Sequence, residues 1–65
     1  MTELKTFTES ILNKKSETYE RLAEDINKYA EEKDLYIKSV HYDRLGDAIV
    51  ANVLLSNIPD EIFVL

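Results

Sequence analysis

Histidine is the usual choice for moving a proton or holding a metal near neutral pH, and this sequence has one, His41. An imidazole does neither task alone. General acid–base catalysis needs a partner within hydrogen-bonding reach, and a zinc site needs three or four ligands. With no cysteine and no second histidine in the chain, His41 reads as a structural or surface residue. The loop acids Asp43, Asp47, Asp60 and Glu61 lack the alternating spacing of a calcium-binding loop. Gly46 is the only glycine, so the glycine-rich loops that cradle phosphates are absent. These residues point away from an enzyme, and no cofactor is expected.

Binding chemistry has more to work with. Lys14, Lys15 and Ser16 stand where a helix is expected to begin, and free N–H groups and the helix dipole attract anions there. Tyr42, whose ring can stack a base, and Arg44 complete a candidate site for a small anionic ligand such as a signalling nucleotide. The plainer alternative is an N-cap preceded by a soluble loop. Glu17, Glu20, Glu24, Glu31 and Glu32, with Asp25 at the margin, form an acidic row that can imitate a phosphate track. Arg21 and Lys28 interrupt it, as on an ordinary solvated face. Tyr36 and the apolar end Ile62, Phe63, Val64 and Leu65 are the candidate residues for an oligomer or partner interface.

These side chains need elements to hold them. Tyr19, Leu22, Ala23, Ile26, Tyr29 and Ala30 fall on one stripe at 3.6 residues per turn, which predicts an amphipathic helix over residues 16–33 with Ser16 as its N-cap. Residues 35–42 and 48–56 are rich in β-branched and aromatic side chains. They read as a hairpin around residues 43–47, with Gly46 supplying positive φ after a type I turn. In the first of these strands, Tyr36, Val40 and Tyr42 are expected to share a face. Both faces of the second are fairly apolar, so it is expected to be central and covered on both sides. Residues 3–8 have strand propensity. The competing reading starts one long helix near Thr8, since Ile11 and Leu12 also project onto the stripe. The expected fold is α+β, a single domain over residues 1–65 with one amphipathic helix on a small antiparallel sheet in β-α-β-β order. A further strand or short helix after Pro59 is left open.

This order resembles the short sporulation-associated proteins of bacilli and similar small phage-encoded proteins. The resemblance lies in Leu4-Lys5-Thr6-Phe7 as an opening strand, the stripe from Leu22 to Ala30, Tyr36-Ile37-Lys38-Ser39-Val40-His41-Tyr42 as a middle strand, and Ala48-Ile49-Val50 opening the last. It implies the β-α-β-β layout and brings no activity or functional residues with it.

At 65 residues the chain has room for one core, and domains of this size usually gain stability from disulfides, metals or oligomerisation. Without cysteine the last is the route expected, so a homo-oligomer is anticipated. A net charge of −5 repels nucleic-acid backbones, so DNA and RNA are not expected partners. No apolar run is long enough to span a bilayer, and a cytoplasmic location is expected. The reading that follows is a non-enzymatic, oligomeric interaction module that binds or inhibits a host or partner protein. The alternative is an oligomer that sequesters a small anionic nucleotide.

Overall fold

The computed structural model describes residues 2–59. Four elements follow in order: β1 (Thr2–Ser10), α1 (Lys15–Lys33), β2 (Tyr36–Leu45) and β3 (Ala48–Ser56). The expected α+β class and β-α-β-β order are therefore present, in a three-stranded antiparallel sheet ordered β1-β3-β2. Any element after Pro59 lies outside the described residues.

Alternation along β3 builds the core. Ile49, Ala51, Val53 and Leu55 point to one face and are buried there against Leu22, Ile26 and Ala30 of α1, with Phe7, Ile11, Tyr29 and Leu35 packed around them. Fully burying side chains of the Val, Leu and Ile size is worth about 1.5–3 kcal/mol each. The buried row of the helix is Thr18, Leu22, Ile26 and Ala30, one residue every fourth position. It runs to one side of the expected stripe, so Tyr19 and Tyr29 flank the core. The hydroxyl of Thr18 is satisfied by donating to the Lys14 carbonyl at 3.2 Å.

Several boundaries differ from expectation, each for a local reason. The helix starts one residue early, with Lys14 and not Ser16 at the N-cap and with no side-chain cap. Ser16 is already inside the first turn. The long-helix alternative fails because the chain is still a strand through Ser10, and the Ile11 N–H donates to the Asp47 carbonyl at 2.7 Å. β2 continues to Leu45, which pairs with Ala48. Only Gly46 and Asp47 are left as the turn, with Gly46 at φ +57°. That is the arrangement of a type II′ hairpin, with glycine at the first central position, in place of the longer turn expected. At its far end α1 is closed by Asp34 in the left-handed region (φ 55°, ψ 50°). The Asp34 N–H donates to Glu31 O and that of Leu35 to Ala30 O at 2.9 Å, a Schellman closure built without glycine.

β3 is central as expected, but the helix covers only one of its faces. Ala48, Val50 and Leu54 of the opposite face are half-buried, and Leu4 and Leu45 beside them are 78% and 69% exposed.

Candidate interaction surface

The two outer strands meet the helix very differently. α1 lies over β1 and β3 and only grazes β2. On the β1 side, polar and aromatic contacts fix it. Arg21 Nε lies 3.5 Å from Glu9 Oε1, and its Nη2 donates to the Ser10 carbonyl at 3.1 Å. Tyr29 donates its hydroxyl proton to Glu3, meets Phe7 edge-on at 5.6 Å between centroids, and has Lys5 Nζ over its ring at 5.2 Å. Glu3 raises the Tyr29 phenol above its ordinary value, first by accepting that hydrogen bond; desolvation and the nearby carboxylate charge act in the same direction. Phe7, Thr8, Asp25, Lys28, Tyr29 and Glu32 line an open groove of about 350 Å³ on this side, with mixed charges along its helix wall.

On the β2 side Tyr19 meets Tyr42 edge-on at 5.0 Å between centroids. With the helix displaced, Ile37, Val40 and Tyr42 remain 38%, 37% and 38% exposed, and Tyr19 38%. All three strand residues pair with core positions of β3: Ile37 with Leu55, Val40 with Val53 and Tyr42 with Ala51. They therefore project to the helix side of the sheet, where an apolar strip runs beside the helix. In the order β1-β3-β2 the outer side of β2 pairs with no described strand.

Tyr36 is not part of this strip. The register shift between Ile37 and Ser39 inserts Lys38 as an extra residue, so Tyr36, which pairs with Ser56, points to the opposite face from Val40 and Tyr42. The expectation that Tyr36, Val40 and Tyr42 share a face is corrected by this bulge. Tyr36 is itself exposed, with Lys38 Nζ 5.9 Å from its ring centroid. Ile37 was missed as a surface residue, although its signal is in the sequence: Ile37, Val40 and Tyr42 break strict alternation by one position, as a bulge requires. Ile62, Phe63, Val64 and Leu65, the other expected interface residues, lie outside the described residues.

The candidate anion residues are distributed as follows. Lys14 is the N-cap, while Lys15 and Ser16 are in the first turn of α1, all three exposed. The Tyr19–Tyr42 contact brings the early helix beside β2. Among the described residues, no hydrogen bond or ion pair joins Lys14, Lys15 or Ser16 to Tyr42 or Arg44. The Arg44 Nε donates to the Gly46 carbonyl at 3.0 Å and so braces the hairpin turn. His41 is on the helix-free face with its Nε2 3.7 Å from Asp43 Oδ2, both well exposed. Among the described residues no cluster of three or more His, Cys, Asp or Glu could hold a metal, and no helix is long and apolar enough to cross a membrane.

Compared with family models, curated proteins and solved structures, the chain matches none.

Proposed function

We propose that this chain is a non-enzymatic protein-interaction module whose working surface is the β2 side of the sheet, and that it acts in the cytoplasm by occupying a partner protein. The observation that carries this reading is the strip of Tyr19, Ile37, Val40 and Tyr42, left exposed beside a helix that could have covered it. Aromatic and β-branched side chains grouped at a strand edge that pairs with no described strand are what strand-adding and groove-binding partners use. The test is affinity capture from extract of the source cell with the parent and with Val40→Lys, a change at an exposed position. A protein retained by the parent and lost from the variant supports the reading. Equal retention, or no retained protein, overturns it.

A second reading, an oligomer that sequesters a small anionic nucleotide, is favoured by the Tyr19–Tyr42 contact, which puts the helix entry and an aromatic platform at one end of the molecule. A bound ligand stabilises the folded state by mass action. Under this reading cyclic or linear nucleotides raise the melting temperature of the parent, and Lys14→Ala with Lys15→Ala abolishes the rise. No rise in the parent removes it.

A further inference from the structure

We infer that β2 pairs antiparallel with β2 of a second copy of this chain, centred on Tyr42, so that two three-stranded sheets become one of six strands. This deepens the interaction reading above by naming one partner of the β2 edge as the chain itself. A two-fold axis perpendicular to the sheet keeps both helices on the same side, and paired residues must then project to the same face. Beyond the bulge this condition allows only registers centred on a single residue of β2.

Side-chain chemistry selects among them. Centred on Tyr42, His41 lies opposite Asp43 of the second copy, and the symmetry makes this pair twice. Centring on Asp43 or on Arg44 sets like charges opposite each other, and centring on Val40 or His41 leaves Asp43 without an opposite charge across the seam. Opposite charges directly across a strand pair are favourable and like charges unfavourable. Within each chain His41 Nε2 already lies 3.7 Å from Asp43 Oδ2, so the register places two such pairs side by side, and the helix-free face carries few other charges. Thr2, Leu4, Thr6, Thr8 and Ser10 of β1 and Ala48, Val50, Asn52, Leu54 and Ser56 of β3 are all uncharged, and Lys38 sits apart at the bulge.

On the opposite face this register sets Val40 against Arg44 of the second copy, since Arg44 pairs with the core residue Ile49 and so shares the helix side. There Tyr42 meets its own copy across the axis, an aromatic cross-strand pair. Each ring is backed by the Tyr19 it already touches. Because each helix lies over β1 and β3, the two helices stand apart at the axis. Tyr19, Val40 and Tyr42 of both copies then line a trough between them, with Arg44 of each copy at its margin.

The absence of cysteine makes the register directly measurable. Only the residue on the axis faces itself, and directly opposed β-carbons lie close enough for a disulfide. Tyr42→Cys should give a covalent dimer on mild oxidation, whereas Val40→Cys and His41→Cys should not. Sedimentation should show a parent dimer. His41→Asp should weaken it about tenfold, through two lost pairs and two new repulsions. His41→Asp combined with Asp43→His should restore it. These positions are exposed, and circular dichroism checks that each variant is folded. A parent that stays monomeric up to about 100 μM, well into the range of weak specific complexes, overturns the inference. So does a dimer that cross-links equally at all three positions, or one indifferent to His41→Asp. Loss of Val40→Lys-sensitive capture is a separate result: a monomeric parent that still captures a partner leaves the interaction reading standing.

Discussion

β1 and β2 flank the same central strand, have nearly the same length, and differ in almost everything else. On the helix side β1 presents Glu3, Lys5, Phe7 and Glu9, and three of these four are charged, yet this is the strand to which the helix is fastened. β2 presents Ile37, Val40, Tyr42 and Arg44 on that side, and the helix leaves the three apolar ones open. Hydrophobicity alone would have drawn the helix the other way. Its placement follows from specific contacts, the Arg21 link to Glu9 and Ser10 and the Tyr29 link to Glu3, Phe7 and Lys5. Charged side chains pointing inward along an outer strand also discourage further strand addition. One edge of the sheet is therefore closed by its own chemistry, and the other pairs with no strand among the described residues.

The largest test of this contrast removes what both edges share. Leu55 is fully buried and pairs with Glu3 on one side and Ile37 on the other. Leu55→Ala or Leu22→Ala should cost about 2–5 kcal/mol, read as a drop in the denaturant midpoint that can unfold a domain of this size outright. The next test compares the edges directly. Phe7→Ala removes a partly buried ring held against Tyr29 and should cost about 2–3 kcal/mol, whereas Tyr42→Ala, measured at concentrations dilute enough to keep the chain monomeric, should cost about 0.5–1.5 kcal/mol through loss of the Tyr19 contact. Equal losses would mean that the β2 side is packed as well as the β1 side.

A smaller effect is expected at the joint between helix and β2. Asp34 adopts a left-handed conformation that favours glycine, and it places a negative charge at the negative end of the helix dipole. Asp34→Gly should raise stability by about 1 kcal/mol, read as a higher melting temperature without change in the β1 contacts. Last, Tyr29 should make the β1 side sensitive to alkali. Its phenol is raised in the folded state by Glu3, so the folded chain holds that proton more tightly than the unfolded chain. This contribution is complete below the ordinary phenol range near pH 10 and is lost as pH rises through the higher folded value. Chemical denaturation from pH 8 upward should show a falloff that Tyr29→Phe flattens.

The helix stripe, the two hairpin strands and the central place of β3 are legible because periodicity reports burial directly, whereas residues 3–8 leave a strand and a longer helix in competition. Leu22 and Ile26 recur at helical spacing, and Ile49, Ala51, Val53 and Leu55 at strand spacing. Other features depend on through-space contacts that spacing does not encode. Nothing in a propensity marks Asp34 as the residue that bends left, because the backbone bonds from Asp34 and Leu35 to the last turn decide it. The exposed strip was half legible. Tyr42 is legible as a surface candidate, but strict alternation through Lys38 puts Tyr36 on the same face, which the bulge corrects. The displacement of the helix toward β1, which creates the strip, comes from Arg21 reaching Glu9 and Ser10 across the connection between strand and helix. That geometry exists only once both elements are formed.

β3 follows β2 by a tight turn, but it must also accept β1 from the other end of the described chain, with Thr2 opposite Ser56. The β2–β3 hairpin can therefore form locally and early, whereas β1 waits for a long-range closure that is slow in any small β topology. During synthesis β1 emerges first and finds its partner last. A strand obliged to wait unpaired is safest when it is unattractive to other strands. The threonines, glutamates and lysine of β1, alternating with only two large apolar residues in Leu4 and Phe7, suit it to that interval. Its composition fits the time before folding as closely as it fits the folded sheet.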